Sequence, residues 1–164
     1  MVRRSAGLVT LALLLAAPRS ASAELGRDAS SIDADRIRMQ GSLLRISRVR
    51  GAGAPGLDND SFTIHEIQSS TGTSIREYVS PSGIVFAVAW TGPWMPDMRQ
   101  LLGRYFDRYQ RGAVAARRAR RARGPLAIDD GEITVRVVGH PRSFSGIATA
   151  TRLVPNGVRA DAIR

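Results

Sequence analysis

The chain has 164 residues, no cysteine and a formal net charge of +10, and all 24 of its basic residues are arginine. The lack of cysteine excludes disulfides and a lipid-modified N-terminal cysteine, so stability must come from an ordinary hydrophobic core. A chain of this length is expected to form one domain, and its positive charge favours anionic partners.

The N-terminus has the layout of a secretory signal peptide. Arg3 and Arg4 precede an uncharged, mostly apolar run over residues 5–17, and the small residues Ala21 and Ala23 flank Ser22. The run is too short to span a bilayer, which needs about 20 apolar residues. We expect residues 1–23 to be removed after Ala23, leaving an exported protein without a transmembrane anchor, in the periplasm or outside the cell.

Residues 24–60 are predicted to hold an N-terminal helix and a loop. Ser30 or Ser31 can cap a helix to about Gln40, and the spacing of Leu43 and Ile46 allows that helix to continue. The stretch GAGAPGLDND, residues 51–60, has the composition of a loop.

Residues 61–164 are predicted to form an α+β core. Three strand-like runs with short spacers indicate an antiparallel meander over 61–68, 74–79 and 84–91. An amphipathic helix opens at Pro96 and Asp97. Its apolar stripe ends at Tyr109, and Gly112 is expected to stop the helix. A C-terminal hairpin follows over 132–138 and 142–151. The fold class is therefore a single α+β domain with an antiparallel sheet of about five strands, and the arginine-rich segment 113–125 is expected to be mobile.

The third strand of the meander is expected to be central. Alternation places Phe86 with Val88 and Trp90 on a bulky face, against which the helix packs, and a face of small residues remains for the first helix. Trp90 is thus predicted to be a core residue. Trp94 sits on a turn between two prolines, and we expect its ring to pack as a lid over the helix start; an exposed ring that contacts a ligand is the alternative.

The run SIREYV brings a charged residue toward this core in either register. If that residue is Glu77, the expected structural explanation is an internal ion pair with Arg142 or His140, or an edge bulge, because an unpaired buried carboxylate is costly. A polar cluster in a cleft is the functional alternative.

Common cofactor and metal motifs lack their structural context. Gly51, Gly53 and Gly56 match G-x-G-x-x-G without a preceding buried strand or a following helix. The two histidines do not form a metal-binding motif. We therefore expect no cofactor and no metal, and the arginine tract has no interleaved aromatic residue, so nucleic acid is not an expected partner.

The expected function is non-catalytic binding of an anionic envelope component or protein. The candidate surface comprises Trp94, Arg76, His140 and Arg142, with an accessory arginine tract of Arg117, Arg118, Arg120, Arg121 and Arg123. The first alternative is a periplasmic hydrolase-type enzyme with Glu77 and His140 as an acid/base pair. The second is a structural subunit of an envelope assembly.

Several segments carry a family resemblance. REYVSPSGIVFAVAWTGP, PDMRQLLGRYFDRY, GHPRSF and LVPNGV occur in this order over residues 76–158. In this combination the chain resembles a family of short exported bacterial proteins known as domain of unknown function 2844. The resemblance implies export and a single domain, and it implies no reaction, ligand or catalytic residue.

Overall fold

The computed structural model describes residues 24–49, 62–119 and 124–163. The predicted signal peptide, the loop 51–60 and Arg120, Arg121 and Arg123 lie outside these ranges. Seven strands form one antiparallel sheet in the order β1-β2-β3-β4-β7-β6-β5. The strands are β1 Ser42–Val49, β2 Phe62–Gln68, β3 Ser74–Val79, β4 Val85–Gly92, β5 Leu126–Asp129, β6 Ile133–His140 and β7 Ser143–Ala150. The helices are α1 Ile32–Arg38, α2 Met98–Leu102 and α3 Phe106–Ala119.

The α+β class and the antiparallel meander are confirmed, but the prediction of about five strands is wrong. The prediction omitted β1, which occupies the segment into which the N-terminal helix was allowed to continue. Gln40 takes a left-handed φ of 47° and the Gly41 N–H donates to the Arg36 carbonyl, so the helix ends before β1. The short strand β5 was also missed, because four residues carry little alternation.

The predicted amphipathic helix is present in two parts. Asp97 caps α2, since its carboxylate accepts hydrogen bonds from the N–H groups of Arg99 and Gln100 at 2.8 and 3.2 Å. Gly103, with φ of 47°, separates α2 from a single 3₁₀ turn and then α3. Met98, Leu101 and Leu102 of α2 and Phe106, Tyr109 and Ala113 of α3 pack in the core on the sheet, whereas Val114 of α3 is exposed.

The prediction that residues 113–125 are mobile is wrong for residues 113–119, which extend α3. Gly112 does not stop the helix, because it lies against Ile128 of β5. A Cβ at Gly112 would come within 2.6 Å of the Ile128 Cγ2 atom. Ala113 is also buried there, so tertiary contact holds a sequence that has good helix formers but no apolar stripe of its own.

An ion pair ties α3 to the turn between β5 and β6. The Arg108 guanidinium donates to the Asp130 carboxylate at 2.9 Å and lies 3.6 Å from Glu132. Hydrogen bonds lower the pKa of Asp130 to about 2. The bond from the Ile133 backbone N–H has the largest effect, and the bond from the Arg108 side chain has the next largest. This acidic turn therefore anchors α3 to the edge of the sheet.

A β-bulge divides the residues of β4 between the two faces of the sheet. Val79 pairs with Val85 and Tyr78 pairs with Ala87, which leaves Phe86 as the extra residue. Phe86 consequently joins the face opposite Val88 and Trp90, against the simple alternation expected from the sequence.

Two cores result. On the helix face, α1 and α2 both cover the strands around Trp90, which is 1% exposed, so its prediction as a core residue is confirmed. The first helix therefore does not pack on the small-residue face. On the other face, Phe62, Tyr78 and Phe86 form a ring cluster with centroids 5.8–6.2 Å apart. The C-terminal segment packs there through Ile163.

Gly146 of β7 should be essential for joining the meander to the C-terminal hairpin. It pairs with Trp90, and an added Cβ would lie 2.2 Å from Cζ2 of the indole ring. We expect Gly146→Ala to lower the free energy of unfolding by about 1–3 kcal/mol, because the ring must leave its position. Urea unfolding measures this change. Gly124→Ala is the matched control, since nothing lies within 4 Å of its added Cβ; equal stability of the two variants would contradict the prediction.

Candidate functional site

A row of paired residues crosses the sheet on the face away from the helices. Cross-strand pairing places Arg76 of β3 beside Ala89 of β4, Ala89 beside Ile147 of β7, and Ile147 beside Arg136 of β6. The two arginines are three strands apart, roughly 14 Å at the backbone. Small and apolar side chains form the floor between two guanidinium groups.

This floor borders a cavity of about 290 Å³. Ile163 of the C-terminal segment lines one side, and the next pairing row adds the hydroxyls of Ser74, Thr91 and Ser145. A second cavity of about 530 Å³ shares Arg136, Ile147 and Ile163 and extends under Val154 and Val158. The two cavities together form a groove beside the C-terminal segment, which we name the arginine groove.

The two arginines have different electrostatic surroundings. Arg76 lies 3.7 Å from the Glu66 carboxylate, which also accepts a hydrogen bond from the Ser74 hydroxyl at 3.0 Å. Arg136 is exposed and has no ion-pair partner within the described ranges. Asp129 lines the larger cavity, whereas the described lining of the smaller cavity contains Arg76 and Arg136 and no acidic residue. The positive charge of the groove is therefore at the smaller cavity and is concentrated at Arg136.

The other predicted surface residues lie at the neighbouring end of the sheet. Gly92 pairs with Phe144, so Trp94 follows β4 at the same end as the turn between β6 and β7. His140 and Arg142 belong to that turn, where Arg142 adopts a φ of 68°. Trp94 is 57% exposed, so its predicted role as a packed lid is wrong and the alternative of an exposed ring is observed. Its carbonyl accepts from the Thr73 hydroxyl at 2.9 Å, which fixes the turn.

The arginine tract is not part of this surface where the structure describes it. Arg117 and Arg118 lie in the last turn of α3, which packs on the helix face of the sheet, opposite the groove. These two residues therefore lie on the opposite face of the sheet from Arg76, and their accessory role stays a prediction. Arg120, Arg121 and Arg123 fall outside the described ranges.

Glu77 lies in the interior, as the sequence indicated for one of the two registers. It pairs with Val88, is 0% exposed, and neither carboxylate oxygen has a hydrogen-bond partner among the described residues. Burial raises the pKa of Glu77 from 4.5 to about 8, and the negative charge of Asp35 contributes in the same direction. Glu77 therefore keeps its proton at neutral pH, and the predicted internal ion pair with Arg142 or His140 is not formed.

The proposed acid/base pair is not assembled either. Through the cross-strand pairs, Glu77 lies level with Val135 of β6, three strands away, while His140 is five residues further along that strand. Strand geometry separates Glu77 and His140 by roughly 20 Å. His140 is also exposed and Glu77 is enclosed, so the two residues do not face a common cleft.

Sequence reasoning missed two residues that the structure makes prominent. Arg136 appeared only as a polar position in an alternating strand, and only the cross-strand register places it opposite Arg76. Asp35 is fully buried and accepts a hydrogen bond from the Gln100 side chain at 2.8 Å. Its position three residues after the buried Ile32 was the available signal, since that spacing shares one helix face.

Two further findings concern the described parts of the chain. Within residues 24–49, 62–119 and 124–163, no three His, Asp or Glu side chains are grouped so that they could hold a metal ion. None of the helices described is both long and apolar enough to cross a membrane.

Glu77 should make stability depend on pH. The folded state keeps the proton between pH 4.5 and about 8, whereas the unfolded state loses it. Stability from this group is thus fully present below pH 4.5 and decreases toward pH 8, by up to about 4 kcal/mol. We expect Glu77→Gln to flatten this decrease and to exceed the parent in stability at pH 8–9, measured by urea unfolding. Glu66→Gln, on the neighbouring strand, should leave the decrease in place; an unchanged pH profile in Glu77→Gln would contradict the assignment.

Comparisons with known proteins agree with the resemblance seen in the sequence. No curated protein and no solved structure matches the chain. One family model, described as "Protein of unknown function (DUF2844)", matches residues 21–163. These residues contain every strand and helix described above, and the chain therefore belongs to the DUF2844 family.

Proposed function

We propose that this protein is exported and binds an anionic ligand, without catalysis, in the arginine groove. The observation that carries the proposal is Arg136, an exposed guanidinium without an ion-pair partner in the described structure, at the rim of an apolar floor. A guanidinium favours carboxylates, sulfonates and phosphates, which it can hold with two parallel hydrogen bonds. The floor adds a preference for a ligand that also has an apolar part.

The lining of the smaller cavity supports binding rather than proton transfer. Its side chains are guanidinium, hydroxyl and apolar groups. General acid/base catalysis needs a group whose pKa lies near the working pH. Glu77, whose pKa is raised by burial to about 8, is enclosed on the other face of the sheet.

Arg76 would act as a second, weaker anchor. Its partner Glu66 neutralises part of its charge and orients its side chain. A ligand anion on the Arg136 side would place its apolar part over Ala89 and Ile147, toward Ile163. Trp94, at the adjacent sheet end, offers an exposed ring to a longer ligand.

The ligand preference is testable with 1-anilinonaphthalene-8-sulfonate, whose fluorescence rises in apolar sites. We expect Arg136→Gln to weaken its binding roughly tenfold, about 1.4 kcal/mol, because the sulfonate loses a charged donor. Binding to the parent should also weaken as salt is added, since the groove is open to solvent.

The control for this experiment is Arg117→Gln, which removes the same charge from the opposite face and should leave affinity unchanged. The neutral analogue N-phenylnaphthylamine should bind both variants equally. Equal loss of sulfonate affinity in Arg136→Gln and Arg117→Gln would show a general charge effect and would contradict the arginine groove as the binding site.

Export is a separate part of the proposal and rests on the N-terminal sequence. Leu25, two residues after the predicted cleavage point, is fully buried, and its N–H donates to the Leu101 carbonyl at 3.0 Å. Cleavage after Ala23 would thus leave this contact intact. We expect mass spectrometry of protein secreted by a bacterial host to find Glu24 as the first residue.

Substitutions at the predicted cleavage site test export further. Ala23→Leu should leave the precursor uncleaved, because the cleavage site needs small residues at the positions of Ala21 and Ala23. Ser22→Leu, between those positions, should still be processed. A full-length product from the parent chain would contradict export by this signal.

A further inference from the structure

The outer strand β1 exposes an unpaired edge of eight residues. It lies at one end of the strand order, and no other strand within the described ranges pairs with its outer side. The opposite edge, β5, has four residues and is packed by α3 through Gly112 and Ile128. A register irregularity at Leu44 lies near the start of β1 and leaves residues 45–49 in continuous pairing with β2. Long unpaired edges are templates for strand addition.

Exposed apolar side chains are concentrated at this edge. Among the described residues, seven large hydrophobic side chains are exposed, and four of them belong to α1 and β1. These are Ile37, Leu43, Leu44 and Ile46, exposed by 65, 42, 57 and 57%. Exposed apolar residues that are scattered singly need no explanation, but a contiguous group indicates an interaction surface. We name this group, with the backbone of β1, the β1 edge.

The charges of the β1 edge are all positive. Arg45 and Arg48 are exposed, and neither makes an ion pair within the described structure. No acidic residue occurs in β1. Glu66, which pairs across from Arg45, is already contacted by Arg76 and Ser74. Carboxylates on an added strand would therefore meet uncompensated arginines.

We propose that the β1 edge docks an extended segment of another protein, which adds to the sheet as an eighth strand and carries both apolar and acidic side chains. Main-chain hydrogen bonds to β1 supply affinity, and side-chain pairs supply selectivity. The apolar residues of the segment cover Leu44 and Ile46. Arg45 and Arg48 lie on opposite faces of β1, so they pair with carboxylates that are three residues apart on the added strand. A second copy of this chain fits less well, since its β1 brings two more arginines and no carboxylate to the contact.

The test uses synthetic ten-residue peptides as strand probes. One has glutamate at every third position and valine elsewhere, so that its carboxylates alternate between the two faces as Arg45 and Arg48 do. The other has lysine in place of each glutamate, and both carry a fluorescent label for anisotropy. We expect the glutamate peptide to bind the parent protein at least tenfold more tightly than the lysine peptide. Hydrogen exchange should show new protection of amides in β1 when the glutamate peptide is bound.

Charge reversal on the strand distinguishes docking from general attraction. Arg45→Glu with Arg48→Glu should reverse the preference, so that the lysine peptide binds more tightly. Arg117→Glu with Arg118→Glu makes the same change of net charge at the end of α3 and should retain the glutamate preference. Thermal unfolding of both double variants establishes that each remains folded.

Three outcomes would overturn the proposal. One is that the glutamate peptide does not bind at millimolar concentration, which would make its binding free energy weaker than about −4 kcal/mol. Another is a preference that reverses equally in both double variants. The third is sedimentation of the parent as a dimer that Leu44→Glu dissociates, because that result assigns the β1 edge to a second copy. None of these outcomes depends on the arginine groove, so the two proposals fail or stand separately.

Discussion

The extra residue in β4 sets how every layer of this protein packs. Without the bulge at Phe86, alternation would place that ring among the helix contacts of Val88 and Trp90. With it, Phe86 joins Phe62 and Tyr78 on the opposite face, and the C-terminal segment gains a core to pack against. The same face then presents only the small residues Ala87, Ala89 and Thr91 along the rest of β4. The arginine groove exists because these small side chains leave space between Arg76 and Arg136.

The helix face contains the fully buried carboxyl of Glu77, which has no hydrogen-bond partner among the described residues. A buried group without hydrogen-bond partners destabilises the fold, and protonation reduces the penalty by removing the charge. Asp35 is buried nearby and shares in the electrostatic effect, so α1 and β3 both contribute to the shift. This arrangement makes the interior sensitive to pH while the binding surfaces on the outside are formed by arginines, which stay charged.

The two proposed surfaces use the same sheet in different ways. The arginine groove uses the side chains of central strands, so the ligand meets a rigid floor whose positions follow from cross-strand pairing. The β1 edge uses main-chain groups that a sheet of any sequence exposes at its border. Arg45 shares a cross-strand row with Glu66 and Arg76, which places the positive charge of both surfaces on one continuous line. An acidic partner bound at the edge would reduce the positive potential near Arg76.

The sequence by itself determined the meander, the start of a helix near Asp97 and the burial of Trp90. It also predicted that a charged residue of the run SIREYV approaches the core. These follow from local periodicity and capping chemistry, which need no distant contact. Tertiary structure decided the strand identity of residues 42–49, the helicity of residues 113–119, the side taken by Phe86 and the outward position of Trp94. Each depends on a partner far away in the chain, as Gly112 depends on Ile128 and Phe86 on the register with Tyr78. Arg136 became a candidate binding residue for the same reason, since only the order of strands brings it opposite Arg76.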